Sequence, residues 1–359
     1  MSRVPKKVIG PLSHAFLSVL GSRLHNWASD EAHAAEVLFF KCVLRTMPPA
    51  KKGPRPIDVL RRRLNDWNEG KLEQLWAAAA RAPPSTSVPE GAPRVSFARV
   101  AALVEDFHLS AAVKALNPDP LAPVDDKSDQ AMQDRHPVSP PPVLREIAAD
   151  VATHTVTHQR VLECVREFKT TSAGAMSGLR PAHLRFFLGA ATHVDVLARM
   201  TQVVNKLLTG TLPPLTRRYA CGANLTALVK KDGGLRPIAC GDVWRRLTAR
   251  CVCKNFANEF LNVLDPFQFG VAISGGTEIL VHTARMLYEK AQGREDFFLL
   301  KFDFRNAFNC ISRQVFLDEL AAKFPSLYPF VSQCYGDPTV LRFGDRTLSS
   351  STESSKVIP

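Results

Sequence analysis

Along the first 82 residues, apolar positions recur at the three- and four-residue spacing of a helix face, which predicts helices over 15–24, 31–44 and 57–80. Prolines and glycines separate them. Ser96 opens a further helical stretch through Leu109 towards Leu116. Residues 118–142 combine Pro118, Pro120, Pro123, Pro137 and Pro140 to Pro142 with a polar run, which predicts a linker and a domain boundary, because such a stretch buries little. Helical patterns return over 143–168, after Pro181, and over 194–208, the last closed by Gly210. Two short apolar pieces, 224–229 and 235–240, flank a Lys231–Gly234 turn and predict a hairpin. Asp242 caps a helix whose apolar positions run from Val243 to Leu264, and Thr277 opens another to Gln292. The nearly unbroken run 297–302 suits a buried central strand. A helix over 317–324 and a hairpin over 340–348 complete the pattern, which is that of an α/β chain behind a mainly helical N-terminal region.

Composition narrows the class. Of 359 residues, 45% are hydrophobic and 22% charged, enough apolar material for two or three ordinary cores. No run approaches the 18 apolar residues of a membrane span and no signal peptide is evident, so the expectation is an intracellular protein, nuclear or cytoplasmic, without a membrane partner. The eight cysteines form no C-x-x-C pair, and His154 and His158 lack the glutamate of a zinc protease helix. The formal charge is +12, and residues 217–254 hold nine basic residues against two acids. Such a concentration points to a polyanionic partner or to a solvated face. A second cluster comprises Lys51, Lys52, Arg55 and Arg61 to Arg63.

Asp303 directly follows the apolar run 297–302. A carboxylate at the end of a buried strand is fixed by an apolar floor yet open to solvent, as Mg²⁺-holding groups in phosphoryl transfer must be; it serves equally as the cap of the next turn.

The residues around Asp303 carry a resemblance. Phe302-Asp303-Phe304-Arg305-Asn306-Ala307-Phe308-Asn309 resembles the first catalytic motif of reverse transcriptases of the non-LTR retrotransposon type. Three upstream blocks are similar to the same family in the same order. They are Ser177-Gly178-Leu179-Arg180-Pro181 with Leu184, then Leu228 to Ile238 followed by Gly241 to Leu247, then Phe267 to Val271 with Ser274 to Glu278. The resemblance implies a polymerase-type right hand, with fingers and partial palm over 143–352; the residue pattern places a basic helical N-terminal region (1–117) and a linker (118–142) before it, and the last residues (353–359) read as an unrelated tail. It implies Asp303 as catalytic Mg²⁺ ligand, aided by the Phe304 carbonyl, and Phe308 beneath the incoming sugar. Lys230 or Lys231 and Arg236 would hold the triphosphate, Gln268 and Gly270 would approach the template, and Arg245, Arg246 and Arg250 would contact nucleic-acid backbone. The implied partners are an RNA template, a DNA primer and deoxynucleoside triphosphates.

Two departures limit what the resemblance implies. The family's downstream A-D-D hairpin and Gln-Gly-Asp-Pro block are absent from this sequence. One Asp does not hold two metal ions. The chain is therefore expected to extend no primer by itself, and the alternative is a non-catalytic RNA- or DNA-binding remnant of a mobile element.

Overall fold

The computed structural model describes residues 6–45, 55–81, 97–105, 107, 109–116, 120–137, 139–148, 151–169, 172–304 and 306–348. Lys51, Lys52, the prolines at 83, 84, 89 and 93, Ser96, Pro118, Arg305 and the tail 353–359 lie outside them. The first apolar repeat folds as α1 (Lys6–His25), which buries Val8, Leu12, Phe16 and Leu20 on one face. The Ser29 hydroxyl caps α2 (Asp30–Leu38), which runs into a π-helical turn at Phe39–Val43 where both phenylalanines are buried. The helix expected over 57–80 is divided into α3 (Pro56–Asn68) and α4 (Leu72–Ala80), because Gly70, at φ 72°, turns left-handed between them. The stretch from 96 likewise splits into α5 (Phe97–Glu105) and α6 (Leu109–Leu116).

Residues 120–137, expected as linker, instead help build a small second core. Proline carbonyls still accept hydrogen bonds. Pro120 accepts from Val229, the Ala122 amide donates to Ala227, and Leu121 bridges Leu228. The Asp125 side chain caps α7 (Asp126–Asp134), whose one large apolar residue, Met132, is fully buried beneath the sheet. Nor does the expected boundary divide the main core, which is continuous from Val8 of α1 to Cys334 near the other end of the fold.

Among the described residues of the pattern over 143–168, only α8 (His158–Glu167) is helical. Upstream, backbone groups bond to distant side chains rather than to the next turn: the amide of Val143 to Gln314, that of Arg145 to the Tyr328 hydroxyl, and both polar groups of Val156 to Asn205. Then come α9 (Pro181–Leu188), α10 (His193–Leu208) and α11 (Pro214–Ala220), with Val196, Met200, Val203 and Leu207 of α10 in the core. Gly210, at φ 71°, lies so close to the backbone of Pro329 that a Cβ there would fall 2.3 Å from its carbonyl oxygen.

The expected hairpin forms as β1 (Ala223–Val229) and β2 (Leu235–Gly241), antiparallel from Ala223↔Gly241 to Val229↔Leu235. Beyond it are α12 (Val243–Asn255), α13 (Ala257–Leu264), α14 (Gly276–Lys290), α15 (Ala307–Cys310), α16 (Arg313–Lys323), α17 (Tyr328–Tyr335) and the second expected hairpin, β3 (Leu341–Phe343) with β4 (Arg346–Leu348). The sheet order is β2-β1-β3-β4, with β1 and β3 parallel, so the chain is mixed α/β with helices predominating. Among the described residues no helix is long and apolar enough to cross a membrane.

The run 297–302 corrects the sequence expectation most sharply, because it is neither strand nor buried. Residues 297–304 pass without turn, bend or ladder partner, and Phe298, Leu300 and Phe302 are 79%, 73% and 78% exposed. A strand needs neighbours for its amides and carbonyls. Both sides of β1 are taken, one by β2 and the other by β3 and residues 121–122.

Candidate nucleic-acid interface

The β1–β2 turn is tightly made. Lys230 donates its amide to the Gly234 carbonyl at 2.7 Å, Gly233 donates back to Lys230 at 3.0 Å, and Gly233 supplies the positive φ of 77°. The tip's one acid, Asp232, accepts the Gly234 amide at 2.9 Å. Lys231 and Arg236 are exposed and Lys230 is half-buried; none of the three pairs with an acid among the described residues.

Arg135, the residue after α7, joins this tip to the Asp303 segment. Its guanidinium lies against Gly234, where a Cβ would come within 3.8 Å of it. Its carbonyl accepts from the side-chain amides of both Asn306 and Asn309 at 2.9 Å, and Asn309 also donates to the Asn306 side chain at 3.0 Å. Asn306 adopts a left-handed φ of 56°, which asparagine tolerates. The two asparagines of the F-D-x-x-N-A-F-N block thus fix a turn beside the basic hairpin. Sequence reasoning missed Arg135 because it falls in the supposed linker, and no spacing or motif singles it out.

The first two family-like blocks are also tied together. Ser177 donates its hydroxyl to Asp242 at 2.5 Å, and the other Asp242 oxygen caps α12 through the Trp244 amide at 2.9 Å. The α12 cations have protein partners. Arg245 donates to the Cys221 carbonyl at 2.8 Å; Arg246 donates to Ala173 and lies 5.0 Å over the Phe168 ring; Arg250 lies 5.3 Å over the same ring and pairs with Glu167 at 3.4 Å. Lys254 pairs with Glu167 at 2.5 Å, and these cations hold the Glu167 carboxyl below the usual range, the Lys254 hydrogen bond contributing most. The α12 stripe is braced against α8 as much as offered to a ligand.

In the N-terminal cluster, Arg55 pairs with Asp58 at 2.8 Å and Arg63 donates to the Arg45 carbonyl at 2.8 Å. Arg62 and Arg63 line a cavity of about 290 Å³ with Asp66 and Gln74.

The third block forms an exposed loop. The Gln268 side chain accepts the Gly270 amide, and Gly276 is packed so tightly on the Phe269 carbonyl that no Cβ fits. Helix α14 buries Gly276 alone among its residues. Asp303 is exposed, as are Phe304 and Phe308, at 79% and 77%. Among the described residues no three His, Cys, Asp or Glu side chains cluster as a metal site would require. The described residues therefore do not fit a two-ion Mg²⁺ site, which needs several converging carboxylates. Neither a protein-family model nor a curated protein matches this chain.

Proposed function

We propose that this chain is the nucleic-acid-gripping portion of a reverse transcriptase of the non-LTR retrotransposon type: fingers and part of a palm in a polymerase-type right hand, engaging an RNA template paired to a DNA primer inside the cell. The observation that carries the reading is the β1–β2 tip, which offers Lys230, Lys231 and Arg236 without an acidic partner among the described residues. Arg135 supports it, since its guanidinium lies against that tip while its carbonyl accepts from Asn306 and Asn309 of the motif that resembles the family. Three cations at the hairpin tip, without an ion-pair partner among the described residues, suit phosphate oxygens, whether of a triphosphate or a polynucleotide backbone.

Mg²⁺-dependent transfer from deoxynucleoside triphosphates belongs, on this reading, to a complete domain with further carboxylates. Asp303, with no clustered carboxylates among the described residues, leaves this chain a binder that extends no primer; acting without such a domain, it is the non-catalytic remnant of a mobile element. Fluorescence anisotropy with a labelled RNA–DNA primer-template tests this. The wild-type chain binds, the combined Lys230→Ala, Lys231→Ala and Arg236→Ala variant binds about tenfold or more weakly, and Asp303→Asn binds unchanged. Equal binding by the triple variant and wild type, or no binding by either, refutes the grip; Mg²⁺-dependent primer extension refutes the inactive half of the reading.

A further inference from the structure

Residues 297–304 have no ladder partner, and each of them is exposed. In extended chain, successive side chains alternate between faces, so Phe298, Leu300, Phe302 and Phe304 form an apolar ridge while Leu299, Lys301 and Asp303 fall on the other side. An unpaired backbone edge carrying such a ridge is a template for another strand.

The segment is its own complement. Antiparallel pairing with a second copy, centred on Phe302, sets Lys301 opposite Asp303 and Asp303 opposite Lys301, with Leu300 opposite Phe304 on the apolar face. Sliding by two residues puts either Lys301 or Asp303 opposite itself, and like charges in that position repel. Sliding by one sets the ridge against the charged positions. Parallel in-register pairing stacks like charges throughout. Within this chain, the segments 46–54, 82–96 and 349–359 are rich in Pro, Ser or Thr and contain no apolar run of strand length to serve instead.

We propose that this chain forms a two-fold dimer through antiparallel pairing of residues 300–304, with Lys301 and Asp303 fixing the register. The proposal goes beyond the nucleic-acid reading and does not rest on it, since the basic tip is a separate element.

Sedimentation equilibrium of the full chain over a concentration series tests it. Wild type shows a monomer–dimer equilibrium. Asp303→Lys and Lys301→Asp, each with an unchanged circular dichroism spectrum, dissociate at concentrations at least about tenfold higher. An equimolar mixture of the two variants dimerises again, because every Lys once more faces an Asp, and so does the double variant Lys301→Asp, Asp303→Lys. A wild type that stays monomeric overturns the proposal, as do single variants that dimerise like wild type, a mixture that stays monomeric, or open-ended aggregation indifferent to charge.

Discussion

Phe16 stacks on Phe187 with ring centroids 4.1 Å apart and meets Phe40 edge-on at 5.8 Å, whereas Phe298, Phe302, Phe304 and Phe308 leave more than three-quarters of their surface to solvent. Both regions are rich in phenylalanine and either would serve as core by hydropathy. The difference is in their neighbours. Helices satisfy their own amides, so α1 needs only an apolar face, and α9 and α10 supply one. Residues 297–304 need an adjacent strand before burial is possible, and no described element provides it. The sheet carries the basic tip, and Arg135, directly after α7, accepts from Asn306 and Asn309 through its carbonyl.

The contrast is open to direct attack. Phe16→Ala is expected to cost about 3–5 kcal/mol in denaturant unfolding, since the ring is wholly buried and stacked; a loss under 1 kcal/mol would mean that the helical core is loosely packed. Acid is next. Burial, then the charge of Arg23, holds His33 down to about 4, and burial, then Arg180, holds His183 down to about 3. Both values lie below the unfolded imidazole value of 6.5, so the unfolded chain takes up protons first as pH falls. The stability they support is full above pH 6.5 and is lost on descending to about 4 for His33 and about 3 for His183, at a cost on the order of 3 kcal/mol each by pH 4. Melting curves at stepped pH should show this slope, and His33→Gln should remove part of it.

Smaller effects separate the turn from the exposed segment. Asn309→Ala removes donors to the Arg135 carbonyl and to Asn306 at a largely buried site. About 1–2 kcal/mol of local stability should go with them, read as faster proteolysis around 306–312 with little change in the global midpoint. Phe302→Ala in dilute protein should change global stability by no more than about 0.5 kcal/mol. A loss as large as that of Phe16→Ala would place Phe302 in a core and erase the contrast.

Helical periodicity made α10 and the second half of α1 legible in the sequence, Pro181 marked the start of α9, and Gly-Gly and Gly-Asp turns made both hairpins legible, because in each case the signal is local. The basic tip at Lys230, Lys231 and Arg236 was readable for the same reason. Three features were not. Met132 enters the second core from a polar helix between prolines, where neither hydropathy nor spacing marks it. Arg135 acts through its carbonyl, a group every residue has. The run at 297–302 has the composition of a central strand, but strand formation depends on a partner that one segment's composition does not specify.

The central claim is that the hairpin tip grips phosphates. Its most direct test is the salt dependence of primer-template binding, measured as log Kd against log salt for the wild-type chain and for the combined Lys230→Ala, Lys231→Ala and Arg236→Ala variant. Three lost phosphate contacts should reduce the magnitude of the slope by about 2 to 3. Identical slopes would contradict the claim.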